Sequence, residues 1–596
     1  MVDTPTADIP QEPDISHVNP AAAETWFGHP RQLARMFSTE MWERFGYYGM
    51  RALLTLYLTQ HFLFGDREAT GLYGGYTALV YLTPLIGGYL ADQYLGAKRA
   101  VKFGAIVMAL GYFLLCFGGQ TAKPYATIDG QRYEVQIDAR DSAAHYVVDG
   151  ADRLKIKGND DKSIDLLAAD GSVKRHVAPG AFQSDAERSA FHVMILLIAL
   201  SMISTGNGFF KPNISTMVGE LYAPGDRRRD SGFTIFYMGI NLGSFFSQLL
   251  CPWLAVAVGW WAGFALAAIG MVFSWFLIQF NGGKLDGYGE PPGREGADRA
   301  PIIYACALLA VPVFYFLYVN LMDAPAPAAG AGIVSYILTL PLMGKLLFGT
   351  FLLSVPGILI WSCAVGERRE FQMMLAAMIL IVFNVVFWTL FEQAGSSLTL
   401  YADRNTDLSV FGLFSITAGQ TQFFNAFFIV LFAPIMSILW NALAKRGLEP
   451  SVPVKFGLAL IGVGAGFLFL VWGGNFAGPD FKVAIWWIAG LYLIHSVAEL
   501  CISPVGLSMV TKLSIARVVG LMMGVWFLSV SVAQYVAGVV AQVASVDTVG
   551  GQVTNLKVSL DTYNGVFWTI GLVAAGIGAF LLLLSPLIRK WMHGVQ

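Results

Sequence analysis

Long apolar segments recur along almost the whole of this chain, and they restrict its possible folds more than any other feature. Many windows exceed about 18 apolar residues, the length that a helix needs to cross a bilayer. Of the 596 residues, 56% are hydrophobic and 13% are charged, whereas water-soluble proteins average about 25% charged residues. The sequence therefore predicts an all-α polytopic membrane protein with the lipid bilayer around it. A net charge of −2 gives no indication of a nucleic-acid partner.

The apolar spans number about fourteen by the windowing rule and are grouped as six, two and six. They lie near 33–60, 69–92, 98–119, 190–219, 231–252, 257–280, 301–321, 334–365, 371–400, 414–441, 453–473, 483–509, 517–542 and 563–588. This grouping predicts a six-helix bundle over 31–280, a linker with two accessory transmembrane helices over 281–369, and a second six-helix bundle over 370–596. Residues 1–30 are polar and rich in proline and alanine, and are expected to form a disordered cytoplasmic tail.

Lysine and arginine in the short loops indicate the orientation of the chain. Positive residues such as Lys98 and Arg99 occupy alternate loops, so both termini are expected on the cytoplasmic side of a bacterial inner membrane. Residues 120–189 then lie outside, and short alternating runs there are separated by Asp129-Gly130, Asp149-Gly150 and Asp170-Gly171. Such dipeptides favour hairpin turns. A small β-rich periplasmic insert is predicted.

The first apolar span carries two acidic and two basic residues close together. At roughly 100° per residue, Glu40, Arg44, Tyr47 and Arg51 fall within about 60° of one another on a helix, flanked by Glu43 and Tyr48. Charges inside a membrane are costly and usually mark a pathway for substrate, ion or proton. The alternative is a buried ion pair that only joins two helices. Two carboxylates and two guanidinium groups on one face are more than such a pair needs.

Three further charges interrupt the apolar spans: Lys211 in the fourth, Glu392 in the first span of the second six, and Glu499 in the fourth span of the second six. The charges thus occupy the first and fourth helices of each half, which line the central cavity if the halves are pseudo-symmetric. At about 1.5 Å per residue, Glu40 is level with Lys211 and Arg51 is level with Glu392.

A weak repeat supports that symmetry. Trp42, Phe45 and Gly49 recur as Trp388, Phe391 and Gly395. Parallel six-helix repeats are the plan of major facilitator transporters. The predicted architecture is therefore a major facilitator fold with a two-helix insertion.

Three motifs resemble those of the proton-dependent oligopeptide transporters. Glu40-x-x-Glu43-Arg44-Phe45-x-Tyr47-Tyr48-Gly49 is similar to the ExxERFxYYG signature of that family. Phe236-Tyr237-x-x-x-Asn241-x-Gly243-Ser244 resembles its second signature. Gly87 to Asp92 followed by Lys98-Arg99 is similar to the major facilitator loop between helices two and three. The resemblance covers about residues 30–590 apart from the insert, and it implies import of di- and tripeptides driven by protons.

The roles that the resemblance implies follow by matching position. Arg44, Arg51 and Lys211 would meet the peptide carboxylate, and Glu499 with Asn241 and Asn425 would meet the amino group. Tyr47, Tyr48 and Tyr81 would line the pocket, and Trp526 would contact peptide side chains. Proton coupling would involve Glu40, Glu43, Arg44, Lys211 and Glu392. Independently of the resemblance, Arg51 and Glu392 share a depth on the helices that begin the two halves, so they are expected to form an outer gate, with Lys211 and Glu40 or Glu43 as its inner counterpart.

One position departs from the family pattern. Mammalian members carry a functional histidine seven residues before the tyrosine that matches Tyr81, and here that residue is Gly74. Proton coupling is then expected to depend on carboxylates. Protons are the expected coupling ion, no cofactor or metal is expected, and the chain is expected to function as a monomer. The insert carries none of the membrane charges, so we expect transport to survive its deletion.

Other functions remain open. A transporter of nitrate or another anion could share this fold, although a pure anion needs no amine-binding carboxylate such as Glu499. A membrane-embedded enzyme would need metal ligands or a nucleophile with its base, and the five cysteines have no metal-ligand spacing. A receptor with a periplasmic sensor would need a cytoplasmic output domain. The sequence favours a transporter over an enzyme.

Overall fold

The computed structural model describes residues 25–595, except 139–143, 151, 224–225, 227, 281–284, 286, 294–297 and 326–337. Fourteen long helices account for most of the described residues. The first six are α1 (Gln32–Leu56), α2 (Asp66–Leu90), α3 (Ala97–Leu115), α4 (Ala190–Glu220), α5 (Arg228–Ala257) and α6 (Trp260–Gln279). We call these six helices the first half.

Two accessory helices follow, α7 (Ala300–Met322) and α8 (Leu342–Val365). The last six are α9 (Arg368–Phe391), α10 (Phe423–Lys445), α11 (Val452–Gly474), α12 (Ile485–Leu513), α13 (Val519–Val543) and α14 (Leu556–Trp591). We call these the second half. A 3₁₀ turn, Glu392–Gly395, and a short helix, Ser397–Asn405, prolong α9; we call them the α9 extension.

Among the described helices, eleven are long and apolar enough to cross a membrane by composition alone. The other three long helices are α1, α2 and α3. α1 does not meet this test because it carries Glu40, Glu43, Arg44 and Arg51. All four side chains are buried inside the protein rather than turned toward lipid. A test on composition therefore misses a membrane helix whose polar face is covered by neighbouring helices.

The predicted insert is confirmed as a seven-stranded antiparallel sheet. Its strands are β3 (Lys123–Ile128), β4 (Gln131–Ile137), β5 (His145–Asp149), β6 (Asp152–Gly158), β7 (Ile164–Leu167), β8 (Val173–Val177) and β9 (Phe182–Glu187), after two short strands, β1 (Thr25–Trp26) and β2 (His29–Pro30). The order is β8-β7-β6-β5-β4-β3-β9. Asp129 and Gly130 both have positive φ between the paired residues Ile128 and Gln131, as a two-residue hairpin requires.

The amino-terminal tail differs from the expectation over its last residues. Thr25–Trp26 pairs with His29–Pro30 as a small hairpin. His29 is buried, and its Nδ1 lies 2.9 Å from the hydroxyl of Tyr222 after α4. This contact orders the segment directly before α1. Residues 1–24 of the predicted tail lie outside the described residues.

The buried apolar side chains form two large clusters, one built mainly from α1–α6 and the other from α9–α14. The accessory helices are mostly exposed, as expected for lipid contact. A polar contact also attaches them to the first half: the fully buried Tyr318 of α7 shares a hydrogen bond of 2.9 Å with Ser204 of α4.

We call the end of the helices that carries the insert the sheet face, and the other end the opposite face. Polar contacts join the two halves at the sheet face. Asp66 at the start of α2 forms an ion pair of 2.6 Å with Arg404 in the α9 extension, and both side chains are 1% exposed. Gln60 donates to Asp403 at 3.0 Å, and the backbone N–H of Val546 donates to Asp66 at 3.0 Å. The halves are therefore closed against each other at this face.

Candidate functional site

The acidic and basic residues of α1 form one buried cluster around Arg44. Its guanidinium group donates to both oxygens of Glu43, with 2.6 Å between Nη2 and Oε1. Nε lies 3.4 Å from Oε1 of Glu40, one turn earlier. The second oxygen of Glu40, Oε2, is buried and has no hydrogen-bond partner among the described residues. Two carboxylates thus share one guanidinium group, and Oε2 of Glu40 remains without a hydrogen-bond donor among the described residues.

This cluster is tied to α4 through an amide. Arg44 Nη2 lies 3.3 Å from Oδ1 of Asn207, and the amide nitrogen of Asn207 donates to the carbonyl of Val80 on α2 at 2.8 Å. Lys211 lies one turn beyond Asn207, is half-buried, and is within electrostatic range of Glu40, Glu43 and Arg44. Among the described residues, no carboxylate oxygen lies within ion-pair distance of Lys211, so the inner pair expected from the sequence is not formed here.

Arg51 and Glu392 form an ion pair that joins the two halves toward the sheet face. Both side chains are almost fully buried. Nε of Arg51 also donates to the hydroxyl of Tyr73 on α2, at 2.5 Å. The guanidinium group therefore connects α1 and α2 of the first half to the end of α9 in the second.

Glu499 lies across from these cations, on α12. The amide nitrogen of Asn425 on α10 lies 3.2 Å from Oε2 of Glu499 and 3.0 Å from the hydroxyl of Ser496. Glu499 is half-buried and within electrostatic range of Arg51 and Glu392. The amide orients the carboxylate while leaving its other oxygen available.

The tyrosines surround the same charges. Arg44 lies over the rings of Tyr47 and Tyr48, with 5.1 Å and 5.9 Å from Cζ to the ring centroids, and Arg51 is 5.9 Å from Tyr48. Tyr81 on α2 is half-buried and within electrostatic range of Tyr48 and Glu392. These rings lie between the Arg44 cluster and the Arg51–Glu392 pair.

The two remaining predicted residues make mainly local contacts. Asn241 on α5 is half-buried and donates to the carbonyl of Tyr237 one turn earlier, at 3.1 Å. Tyr237 is 45% exposed and within electrostatic range of Glu499 and Tyr48. Trp526 on α13 is 9% exposed, and its ring packs against Gly506 of α12.

The structure gives a packing reason for glycine at position 74. Gly74 on α2 faces Gly538 on α13, where a Cβ atom at position 74 would lie 2.6 Å from the Cα of Gly538. The two backbones approach so closely that no side chain fits between them. A histidine at this position would require the two halves to separate.

Three polar residues at the site had no role in the sequence prediction. Asn207 precedes Lys211 by four residues and Ser496 precedes Glu499 by three, so helical periodicity could have found both. Tyr73 precedes Tyr81 by eight residues on α2 and could have been found in the same way. Nothing in the sequence relates Asp66 to Arg404, which are 338 residues apart.

The arrangement has two poles of charge. Arg44, Arg51 and Lys211 supply cations on the first half, and Glu499 supplies a carboxylate on the second. Half-buried side chains lie between the poles, while the Asp66–Arg404 and Arg51–Glu392 pairs close the space toward the sheet face. Within the described residues, no group of three or more His, Cys, Asp or Glu side chains is placed to hold a metal ion.

Fold and site together define a multi-pass helical membrane transporter. A family model described as the POT family matches residues 98–556, so the chain belongs to that family. It is 30% identical over 564 residues to dipeptide and tripeptide permease A of Klebsiella pneumoniae (strain 342), covering 95% of this chain and 93% of the relative. The permease of the same name from Escherichia coli (strain K12) is 29% identical over 568 residues, covering 95% and 94%.

Solved structures agree over nearly the whole chain. The crystal structure of the peptide transporter POT in complex with sulfate superposes with a TM-score of 0.70 at 28% identity, covering 96% of this chain and 99% of that one. A structure on substrate recognition in proton-dependent oligopeptide transporters gives a TM-score of 0.68 at 26% identity, covering 94% and 99%.

Proposed function

We propose that this chain is a proton-coupled symporter that imports di- and tripeptides by alternating access. The observation that carries the proposal is the pair of opposite charge poles in one site, with Arg44, Arg51 and Lys211 on one side and Glu499 on the other. A peptide zwitterion needs cations at its carboxylate and an acceptor at its amino group. Tyrosine walls between the poles accept side chains of many shapes. The names of the relatives point to the same substrates.

The proton would use the carboxylates around Arg44. Glu40, Glu43 and a peptide carboxylate all compete for cations that include Arg44 and Lys211. Protonation of one glutamate would free Arg44 for the peptide, and loss of that proton would favour peptide release. The shared guanidinium group thereby links peptide binding to proton binding. No cofactor enters this scheme.

The Arg51–Glu392 pair would be the outer gate. It is formed here while Lys211 has no carboxylate within ion-pair distance among the described residues, as expected for a conformation closed at the sheet face and accessible from the opposite face. In the other conformation the outer pair would separate, and Lys211 would pair with Glu40 or Glu43. The pair biases one state without being needed in both.

The membrane placement and assembly of the chain are part of the proposal. The first bundle (31–280, with the 120–189 insert) and the second (370–596) would be the bodies that rock, and the 281–369 segment would be accessory. Lysine and arginine in the loops at the opposite face support an orientation with that face and both termini in the cytoplasm of a bacterium, and the insert would lie outside the inner membrane. All the proposed site residues belong to one chain, which supports the proposal that a monomer would suffice.

Uptake of a labelled dipeptide into proteoliposomes tests the proposal. An inward-directed proton gradient should drive accumulation above the external concentration, and a proton ionophore should abolish it. Labelled nitrate supplies the control for the alternative function, because an anion transporter would accumulate nitrate and leave the dipeptide outside. Dipeptide accumulation that is indifferent to the gradient would contradict proton coupling.

A further inference from the structure

The insert is attached to the first half at both ends of its chain segment, through the neighbouring strands β3 and β9. The strands β3 and β9 lead directly into the chain around α3 and α4. Arg188, after β9, donates to the carbonyls of Phe62 and Leu63 after α1, at 2.9 and 2.7 Å. The N–H of Ala122 donates to the carbonyl of His61 at 2.9 Å. The sheet must therefore move with the first half.

The sheet also receives a hairpin from the second half. The residues between α13 and α14 form two short strands, Thr548–Val549 and Gln552–Val553, which we call the α13–α14 hairpin. Gly550 and Gly551 connect them and both have positive φ, as a two-residue turn requires. This turn fixes the pairing of Val549 with Gln552 and so the direction in which Val549 points.

Val549 completes the apolar core of the insert. It is 2% exposed, and it clusters with buried side chains of the sheet that include Ala126, Ile128 and Val147. A Cβ atom at Gly550 would lie 3.1 Å from Ile137 of the sheet, so the turn itself also touches the insert. Apolar side chains of one half are thus covered by a residue of the other.

Polar contacts extend this interface beyond the hairpin. The N–H of Gly158 on β6 donates to the carbonyl of Thr554 at 3.3 Å, and the amide of Asn555 donates back to the carbonyl of Gly158 at 3.2 Å. Lys557 and Asn555 lie 3.0 and 3.1 Å from the carboxylate of Asp160. A cavity of about 980 Å³ lies beside this interface and is lined by residues of the sheet, the helix ends and the hairpin. The contact between the sheet and the second half thus runs from the hairpin to the start of α14.

We propose that the insert is a clasp, which is carried by the first half, holds the α13–α14 hairpin while the sheet face is closed, and releases it when that face opens. The inference rests on the proposed function, because alternating access is what separates the halves at this face. It also revises the expectation that the insert is dispensable. The clasp adds to the stability of the closed state and so sets how readily the sheet face opens.

A reversible crosslink tests whether release is required. Gly158→Cys and Thr554→Cys, on a background without the five native cysteines, would join the insert to the second half. The matched pair His61→Cys and Ala122→Cys has the same backbone contact but lies within one half. Oxidation should abolish dipeptide uptake by the first pair, with recovery on reduction, and leave the second pair active. Full uptake with the Gly158–Thr554 crosslink intact would overturn the clasp.

A second variant loosens the clasp and needs no transport assay. Val549→Asp places a charge in the sheet core, and Val173→Asp makes the same change at a 55% exposed site on β8. Spin labels at Gln120→Cys and Asp480→Cys, both exposed at the sheet face, report its opening. Val549→Asp should raise the ratio of long to short distances about tenfold, and Val173→Asp should leave it unchanged. Equal ratios in both variants would overturn the proposal.

The two proposals fail in different ways. A wild-type protein that accumulates no dipeptide under a proton gradient contradicts the proposed function, whatever the spin-label distances are. A wild-type protein that transports dipeptide, with uptake unaffected by the Gly158–Thr554 crosslink, contradicts the clasp alone. If Val549→Asp fails to fold, the crosslinked pair still decides the question.

Discussion

Arg44 is the residue through which the proposed coupling would act. Its guanidinium group contacts Glu43, Glu40 and Asn207 through Nε and Nη2 and is buried with them. A buried charge that loses a partner is strongly destabilised. In the proposed scheme, a peptide carboxylate would bind Arg44 when one of the glutamates becomes neutral, so that proton binding would favour peptide binding.

Glu43→Gln tests that exchange. A neutral amide mimics the protonated acid, so Arg44 stays available and peptide exchange between loaded vesicles should be partly retained. The amide has no proton to release, so gradient-driven accumulation should be abolished. Uptake with and without a proton gradient, and counterflow in equal pH, measure the two activities separately.

The control for this prediction is Glu134→Gln, which makes the same change on the exposed side of β4. It should leave both activities near wild type. Undiminished gradient-driven uptake by Glu43→Gln would remove Glu43 from the coupling step.

Glu499 should decide the affinity for a free amino group. Truncation in Glu499→Ala removes the acceptor that Asn425 orients, and a hydrogen bond to a charged group contributes about 1.5–3 kcal/mol, or roughly tenfold to a hundredfold in affinity. Binding of free-amine dipeptides should weaken by that factor. Binding of the N-acetylated forms, measured on the same protein, should change little, and an equal loss for both ligands would place the amino group elsewhere.

At the scale of elements, local sequence patterns predicted the helices and turns that depend on local interactions. The span predicted at 190–219 is observed as Ala190–Glu220, and the Asp-Gly pairs located three of the turns of the sheet. The α9 extension and the α13–α14 hairpin were missed, because Arg404 and Val549 are fixed by partners far away in the chain. Spacing also placed Arg51 and Glu392 at one depth, but depth alone cannot show which side chains meet.

The crossing of α2 and α13 provides an element-scale prediction. Gly74→Ala would place a Cβ atom 2.6 Å from the Cα of Gly538, where both sides are backbone and cannot yield. Such overpacking costs about 1–3 kcal/mol, so thermal stability should fall. Gly565→Ala, in α14 with no heavy atom within 4 Å of the added Cβ, should instead stabilise by about 0.4–1 kcal/mol. Thermal unfolding in detergent compares them, and equal effects would contradict the close crossing.

At the scale of the molecule, the contacts between the halves are concentrated at the sheet face. Asp66–Arg404, Arg51–Glu392 and the insert with its hairpin all lie on that side of the site or beyond it. The structure thus has one closed end, and the transport cycle would require these contacts to break together.

Whether the Arg51–Glu392 contact breaks can be measured by crosslinking. Both side chains are long, so Arg51→Cys and Glu392→Cys need a bifunctional thiol reagent with a spacer rather than a direct disulfide, which requires Cα atoms about 4.4–6.8 Å apart. The background lacks the five native cysteines. Since transport is lost with Arg51, the readout is the yield of crosslinked protein. That yield should be high in the conformation described here, with the sheet face closed.

Conditions that open the sheet face should lower the yield. Low pH on the side of the insert should favour the outward-open state, separate the halves at this face and move position 392 away from position 51. The control pair, Arg51→Cys with Tyr73→Cys, replaces two side chains that touch within the first half. Its yield should be the same in every condition, because α1 and α2 move together. If the Arg51–Glu392 yield also stays constant in every condition, or if this pair never crosslinks, the two residues are not the outer gate.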